Sequence, residues 1–321
     1  MATYKEIKGT TVKVRSSSMP TTYPQVAGEL YYNSSNGQYE FLGPGTGAWS
    51  TGGSLNTARS DNGSAGTQTA ALTAGGDTSP GYRDLVESYN GTSWTETTEI
   101  NTARFAFGSS GIQTAALIYG GNVPGGNPGA TESWNGSAWT EVGDNNTGRY
   151  QLTGAGANNT SAVAGDGRTG PTSSMQDTVE TWNGSTWTEV AEFNTSRFAT
   201  GSAGTATSAV FFGGRSPSDH ANAETWNGSS WTEVSEINTA RREGGSSGIS
   251  ATSSLIFGGE GTPSSTQYAR TESWDGSSWT EVNDLNAAIY GTSGGGTQTD
   301  AIRAGGVTSG DANPSATVET W

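Results

Sequence analysis

The chain has 321 residues, no cysteine, one histidine and a formal net charge of −15 at pH 7. Without cysteine there is no disulfide framework, thiol nucleophile or thiolate metal site, and so acidic a chain repels nucleic-acid phosphates. Only 31% of residues are hydrophobic and 49 are glycine, so any core must be built from aromatics, each hiding roughly 150–250 Å².

Residues 1–46 read as an attachment arm followed by a hairpin. Lys5, Lys8, Lys13 and Arg15 gather here against a single acid, Glu6, so residues 1–15 are basic and the remainder strongly acidic. A short basic arm can dock on an acidic partner surface; a solvated tail is the plainer alternative. The stretch 29–41, carrying Tyr31 and Tyr32, reads as a hairpin with Asn36-Gly37 at its tip. No apolar stretch near Met1 resembles a secretory leader, and no apolar run is long enough for a membrane helix.

From residue 47 onward the chain repeats. All eleven tryptophans fall on one ruler, at 49, 94, 134, 139, 182, 187, 226, 231, 274, 279 and 321. Each unit opens with Asn-Thr-x-Arg or a close variant, giving Arg59, Arg104, Arg149, Arg197 and Arg241; in the sixth unit the position is Ile289. A small-residue run follows, then an apolar run ending in Gly-Gly, as at Gly75-Gly76 and Gly258-Gly259; the third unit has Gly165-Asp166-Gly167 instead. The unit closes with two short runs around Asn-Gly or Asp-Gly, as at Asn135-Gly136 and Asp275-Gly276. Short β-branched and aromatic runs broken by such turns read as strands, and a hairpin turn with φ > 0 at both central residues is expected.

Six four-stranded units of this length predict an all-β, six-bladed β-propeller. The chain stops at Val318-Glu-Thr-Trp321, one strand short of a full unit, while Gly47-Ala-Trp49-Ser-Thr51 is an orphan matching the missing strand. Residues 47–321 are therefore the propeller, with 47–52 the closing strand of the last blade, and both free sheet edges disappear.

The order Arg, small strand, apolar strand ending Gly-Gly, aromatic, short gap, Trp resembles the kelch repeat across residues 47–321. That resemblance implies that the Gly-Gly sits where strands crowd and that Trp packs between sheets. The segments Met1-Ala-Thr-Tyr-Lys-Glu-Ile-Lys-Gly-Thr10 and Gly28-Glu-Leu-Tyr-Tyr-Asn33 resemble the N-terminus of repeat proteins in tailed bacteriophages, particularly those of marine bacteria (cyanophage and pelagiphage types). This second resemblance implies a virion component attached through its N-terminus to other virion proteins.

Catalytic chemistry finds little to use. His220 sits in a Pro/Ser loop, and Glu96, Glu141, Glu189, Glu233 and Glu281 recur with the repeat, as solvated strand-face carboxylates do. No cofactor is expected; a Ca²⁺ site near Asp144 or Asp166 is a remote option. Trp139, Trp187, Trp231 and Trp279 are expected to pack between blades. Trp134, Trp182, Trp226 and Trp274 abut the turn, are expected to be partly exposed, and are the candidate platforms for a glycan or partner. The repeated arginines either line the central channel as an anion site or pair with a neighbouring blade's carboxylate, the pairing being preferred. The loops 77–84, 122–130, 167–176, 215–222, 260–268 and 307–314 vary most and are where recognition is expected.

The functional expectation is a non-enzymatic structural component of a phage particle, in the tail, a fibre or decorating the capsid. Its external propeller would contact the host surface or protein, with no nucleic-acid partner and no membrane insertion. A stand-alone propeller lectin and a glycan hydrolase are the alternatives.

Overall fold

The computed structural model describes strands 13–15, 30–33 and 38–41 of the N-terminal segment. It also describes residues 47–321 except 80, 127, 171–173, 263–265 and 309–312. The chain divides into two compact units, Met1–Gly47 and Ala48–Trp321. In the first, Leu30–Asn33 and Gln38–Phe41 pair antiparallel with Leu30 opposite Phe41, forming the expected hairpin; its tip lies outside the described residues. Lys13–Arg15, expected as part of an arm, adds to Leu30–Asn33 as a parallel strand with Lys13 opposite Tyr31. Lys5 and Lys8 lie outside the described residues.

The second unit is a six-bladed propeller of antiparallel four-stranded sheets. Blade 1 runs Gly63–Thr67, Ala70–Ala74, Val86–Tyr89 and Trp94–Thr97. Blade 5 runs Gly245–Ser250, Ser253–Phe257, Thr271–Trp274 and Trp279–Val282, and blades 2 to 4 follow the same plan. The sixth combines Ser293–Gly296, Ala301–Ala304 and Val318–Thr320 with Ser50–Thr51, so the front of the propeller supplies its outer strand. Glu319 pairs with Thr51 and Thr320 with Ser50, and the rings of Trp49 and Trp321 lie 5.4 Å apart. The ring is closed by backbone hydrogen bonds, as the orphan Trp49 segment predicted.

The first strand of each blade is innermost and pays for its place with side-chain volume. A Cβ on Gly108 would meet the Tyr119 ring at 2.1 Å, and one on Gly245 the Phe257 ring at 2.3 Å. That is why the run leading into the apolar strand is Gly and Ser.

Between blades lie six aromatic-rich clusters among the described residues, one per interface. In one, Leu72, Val86, Ile100 and Phe107 meet Ile118, Trp134 and Trp139 of blade 2. The five-residue tryptophan spacing is the register of the outer hairpin: Trp134 is paired directly with Trp139, their ring centroids 5.2 Å apart. The turn differs from expectation. Four residues separate the strands, and of Asn-Gly only the glycine has positive φ, between 91° and 96° at Gly91, Gly136, Gly184, Gly228 and Gly276. The Asn side chain organises the loop instead: Asn135 Oδ1 accepts from the backbone N–H groups of Ser137 and Ala138 at 2.9 and 3.0 Å.

Candidate functional site at the channel mouth

Six copies of one unit separate two kinds of residue: those the frame repeats and those it lets vary. The repeated arginines belong to the first kind. Arg104 donates to Glu132 Oε1 at 2.6 Å, Arg149 to Glu180 at 2.8 Å and Arg241 to Glu272 at 2.7 Å; Arg59–Glu87 and Arg197–Glu224 repeat the pair. The pairing expected from sequence is present, but the carboxylate belongs to the same blade, not to a neighbour. The opener asparagine completes the clasp, Asn238 offering its backbone N–H at 2.6 Å and Nδ2 at 2.9 Å to Glu272 Oε2. Burial pushes each guanidinium down from its ordinary value, and the facing glutamate opposes that shift. In blade 6, where Ile289 replaces the opener arginine, Arg303 on the second strand supplies the guanidinium to Glu319. The same buried charge pair is thus rebuilt from a different strand. Glu96, Glu141, Glu189, Glu233 and Glu281 are exposed.

The tryptophans are also frame. Trp139, Trp187, Trp231 and Trp279 are buried as expected, and three of them reach into the preceding blade, for example Trp187 Nε1 to Thr131 Oγ1 at 3.0 Å. The partial exposure expected of Trp134, Trp182, Trp226 and Trp274 is corrected: each is only 1–2% exposed. Their indole N–H groups donate to carbonyls of their own blade, Gln113, Asn159, Ala206 and Ala251, at 2.9–3.0 Å. Directly opposed residues of an antiparallel pair share a face, so both members of each pair enter the same inter-blade layer. Neither presents a ring face for stacking.

Asp166 stands at the place of the first glycine of the doublet and is fully buried. Its carboxylate accepts from Thr153 N at 2.7 Å and from Thr200 N and Oγ1 at 3.1 and 2.7 Å. It therefore ties blade 3 to the entry of blade 4, which accounts for its departure from Gly-Gly. Asp144 is exposed, and no group of three metal-ligating side chains occurs among the described residues. His220 is held within its loop by Ser216 O at 2.7 Å and Asn222 Oδ1 at 3.0 Å.

Residues that vary converge at one mouth of the axial channel, a cavity of about 210 Å³ lined by the innermost strands. Asp61, Ala106, Gln151, Ala199, Glu243 and Gly291 occupy equivalent positions two residues beyond the opener arginine. All have φ between 51° and 58°. Each donates its backbone N–H to the carbonyl of its counterpart in the preceding blade, at 2.6–3.1 Å, and Asp61 donates to Gly291. Six hydrogen bonds thereby form a closed ring around the opening. Five of the six residues are not glycine, and left-handed backbone at such residues is strained, a condition that clusters at functional sites. Outside the ring, the residue after each Gly-Gly pairs with the residue after each opener. These pairs are Ser60–Asp77, Phe105–Asn122, Tyr150–Arg168, Phe198–Arg215, Arg242–Glu260 and Tyr290–Val307. The backbone geometry repeats six times while the side chains on it do not. The variable loops begin at these pairs, so they leave the frame on this face.

The mouth is electrostatically uneven. Burial raises the Glu243 carboxyl to about 8, helped by Asp61 and Glu260, and burial raises Asp61 to about 6. Gln151 Nε2 donates to Glu243 Oε1 at 2.7 Å, and Arg168 donates to Gln151. Both acids favour the protonated state when folded. Their stabilising contribution is therefore full below the unfolded carboxylate range, near pH 4, and is lost as pH rises through 6 and then 8. Thermal melts between pH 5 and 9 should show Glu243→Gln losing less stability than the parent as pH rises, with a melting temperature a few degrees higher at pH 9. Parallel curves would rule this out.

Sequence reasoning missed the mouth residues. The available signal was the variation at two fixed offsets, after the opener arginine and after the glycine doublet, within an otherwise repeated context. It also missed Glu87, Glu132, Glu180, Glu224, Glu272 and Glu319, which recur two residues before the first aromatic of each hairpin.

No family model matches the chain, and no curated protein matches it. Among solved structures, the fold is similar to that of YjhT, with a TM-score of 0.69 and 12% sequence identity, over 83% of this chain and 95% of that one. At that identity the likeness establishes the propeller fold alone. No helix among the described residues is long and apolar enough to cross a membrane.

Proposed function

We propose that the chain is a non-enzymatic component of a bacteriophage particle, fixed to other virion proteins through residues 1–46. Its kelch-like propeller presents the loop face to a host-surface glycan or protein. The observation that carries this reading is the contrast at the channel mouth: six identical backbone frames hold six different sets of side chains. A rigid scaffold with divergent residues on one face is the usual arrangement of a recognition surface. The repeated Arg and Glu, which could have served chemistry, are consumed by the blades themselves. The N-terminal resemblance to tailed-phage proteins supports the attachment end, where Lys13–Arg15 and Tyr31-Tyr32 lie in neighbouring strands.

Mass spectrometry of gradient-purified virions is the test. Peptides from this chain should co-purify with infectious particles and persist after a high-salt wash. Their absence from virions, with the chain present in the infected-cell lysate, would end the proposal. A carbohydrate-binding reading draws on the same surface and concerns what it holds.

A further inference from the structure

The propeller contains no lysine. Six of its arginines are sealed in clasps with glutamate, leaving Arg83, Arg168, Arg215, Arg242 and Arg270. Three of those five, Arg168, Arg215 and Arg242, line one pocket at the channel mouth across blades 3, 4 and 5, together with Met175, Phe198 and Pro217. In so acidic a chain, this convergence of cations needs an explanation, and pairing with local acids does not supply it fully. Arg242 is held by Asp219 at 2.5 Å and by Glu260. Among the described residues neither Arg168 nor Arg215 forms an ion pair. Arg168 is stacked over the Phe198 ring, its guanidinium carbon 4.0 Å from the centroid, and over Tyr150 at 5.0 Å. Its Nε is buried with no hydrogen-bond partner. Arg215 spends Nε on the carbonyl of Pro217 at 3.0 Å.

We infer that Arg168, Arg215 and Arg242 form a binding site for one carboxylate or sulfate group carried on a saccharide. The saccharide part rests on the reading of this face as a host-contact surface; the anion part rests on the pocket alone. Guanidinium presents a planar fork of donors matched to the paired oxygens of carboxylate and sulfate, and stacking on an aromatic ring fixes its orientation before a ligand arrives. Phe198, Met175 and Pro217 give the pocket an apolar wall against which a ring can lie. Glu243 and Glu260 share the wall; burial, with Asp61 and Glu260 beside it, pushes the Glu243 carboxyl up toward its neutral form, which reduces the negative charge facing Arg168. As pH rises through that raised range the carboxyl ionises, so affinity should fall.

The test is calorimetric titration of the full chain with glucuronate and glucose 6-sulfate, and with glucose and glucuronamide as neutral counterparts. Saturable binding of either anion and not of the neutral sugars is expected, and which anion binds tells carboxylate from sulfate. Arg215→Ala and Arg168→Gln should each weaken it at least tenfold. Arg83→Ala and Arg270→Ala, which remove positive charge elsewhere, should leave it unchanged. The parent's affinity should drop between pH 7 and 9, and in Glu243→Gln it should not. No saturable binding of either anion, or binding unchanged in both pocket variants, overturns the inference. Equal binding of the neutral sugars also overturns it. Virion proteomics reports separately: a chain present in particles but silent toward both anions leaves the attachment proposal standing and removes this site.

Discussion

Replacing Glu272 by Gln should destabilise the propeller by about 3–5 kcal/mol, the usual cost of removing one partner from a buried ion pair. The Arg241 and Glu272 side chains are both 0% exposed, and the carboxylate receives Arg241 together with the backbone and side chain of Asn238 and the backbone N–H of Thr239. The amide keeps an acceptor but withdraws the charge, leaving a guanidinium in the interior with nothing to balance it. On a domain of this size the loss corresponds to a melting-temperature fall on the order of 10 °C. Replacing both members together, Arg241→Met with Glu272→Gln, should recover part of it, because no unbalanced guanidinium remains and the amide oxygen still accepts from Asn238. Chemical denaturation of the two single variants and the double completes the cycle. A single variant within 1 kcal/mol of the parent would show that the clasp is not what holds the opener to its blade.

Trp49→Ala should cost about 3–5 kcal/mol in lost burial and residual cavity. It should also have a local effect that the same change at Trp231 lacks. Trp49 sits between blades 5 and 6, its indole N–H 2.9 Å from Thr271 Oγ1 and its ring 4.8 Å from that of Phe257. It also anchors the two-residue strand Ser50–Thr51 that covers Val318–Thr320. Loss of the anchor should let that strand detach and expose an unpaired edge. Hydrogen exchange at Val318–Thr320 should accelerate in Trp49→Ala and stay slow in Trp231→Ala, where ring closure is untouched. Equal protection in the two variants would mean that closure does not depend on the aromatic anchor.

Much of this architecture was legible because repetition multiplies weak signals. A single Thr-Glu-Ser-Trp says little, but its recurrence with Asn-Gly and Trp at fixed offsets specifies a hairpin, a blade and a count of blades. The orphan Trp49 was readable as the closing strand for the same reason. The repeat was less informative about which way side chains face. Trp134 and Trp139 look different in sequence, one beside the turn and one beyond it, yet cross-strand pairing puts them on the same buried face. The partner of each repeated arginine was likewise hidden, since Arg59 and Glu87 are 28 residues apart and meet only when the opener folds back over the third strand.

The sequence by itself determined the propeller, its six blades, its aromatic inter-blade packing and the joining of its ends, because those follow from local pairing rules applied six times. Only the tertiary structure decided which charges are spent within the frame and which remain available. Residues 61, 106, 151, 199, 243 and 291 are scattered along the chain and become neighbours only when the ring closes. The same closure brings Arg168, Arg215 and Arg242 to one opening. Local periodicity carries no record of such proximity, since it arises from the curvature of the whole ring.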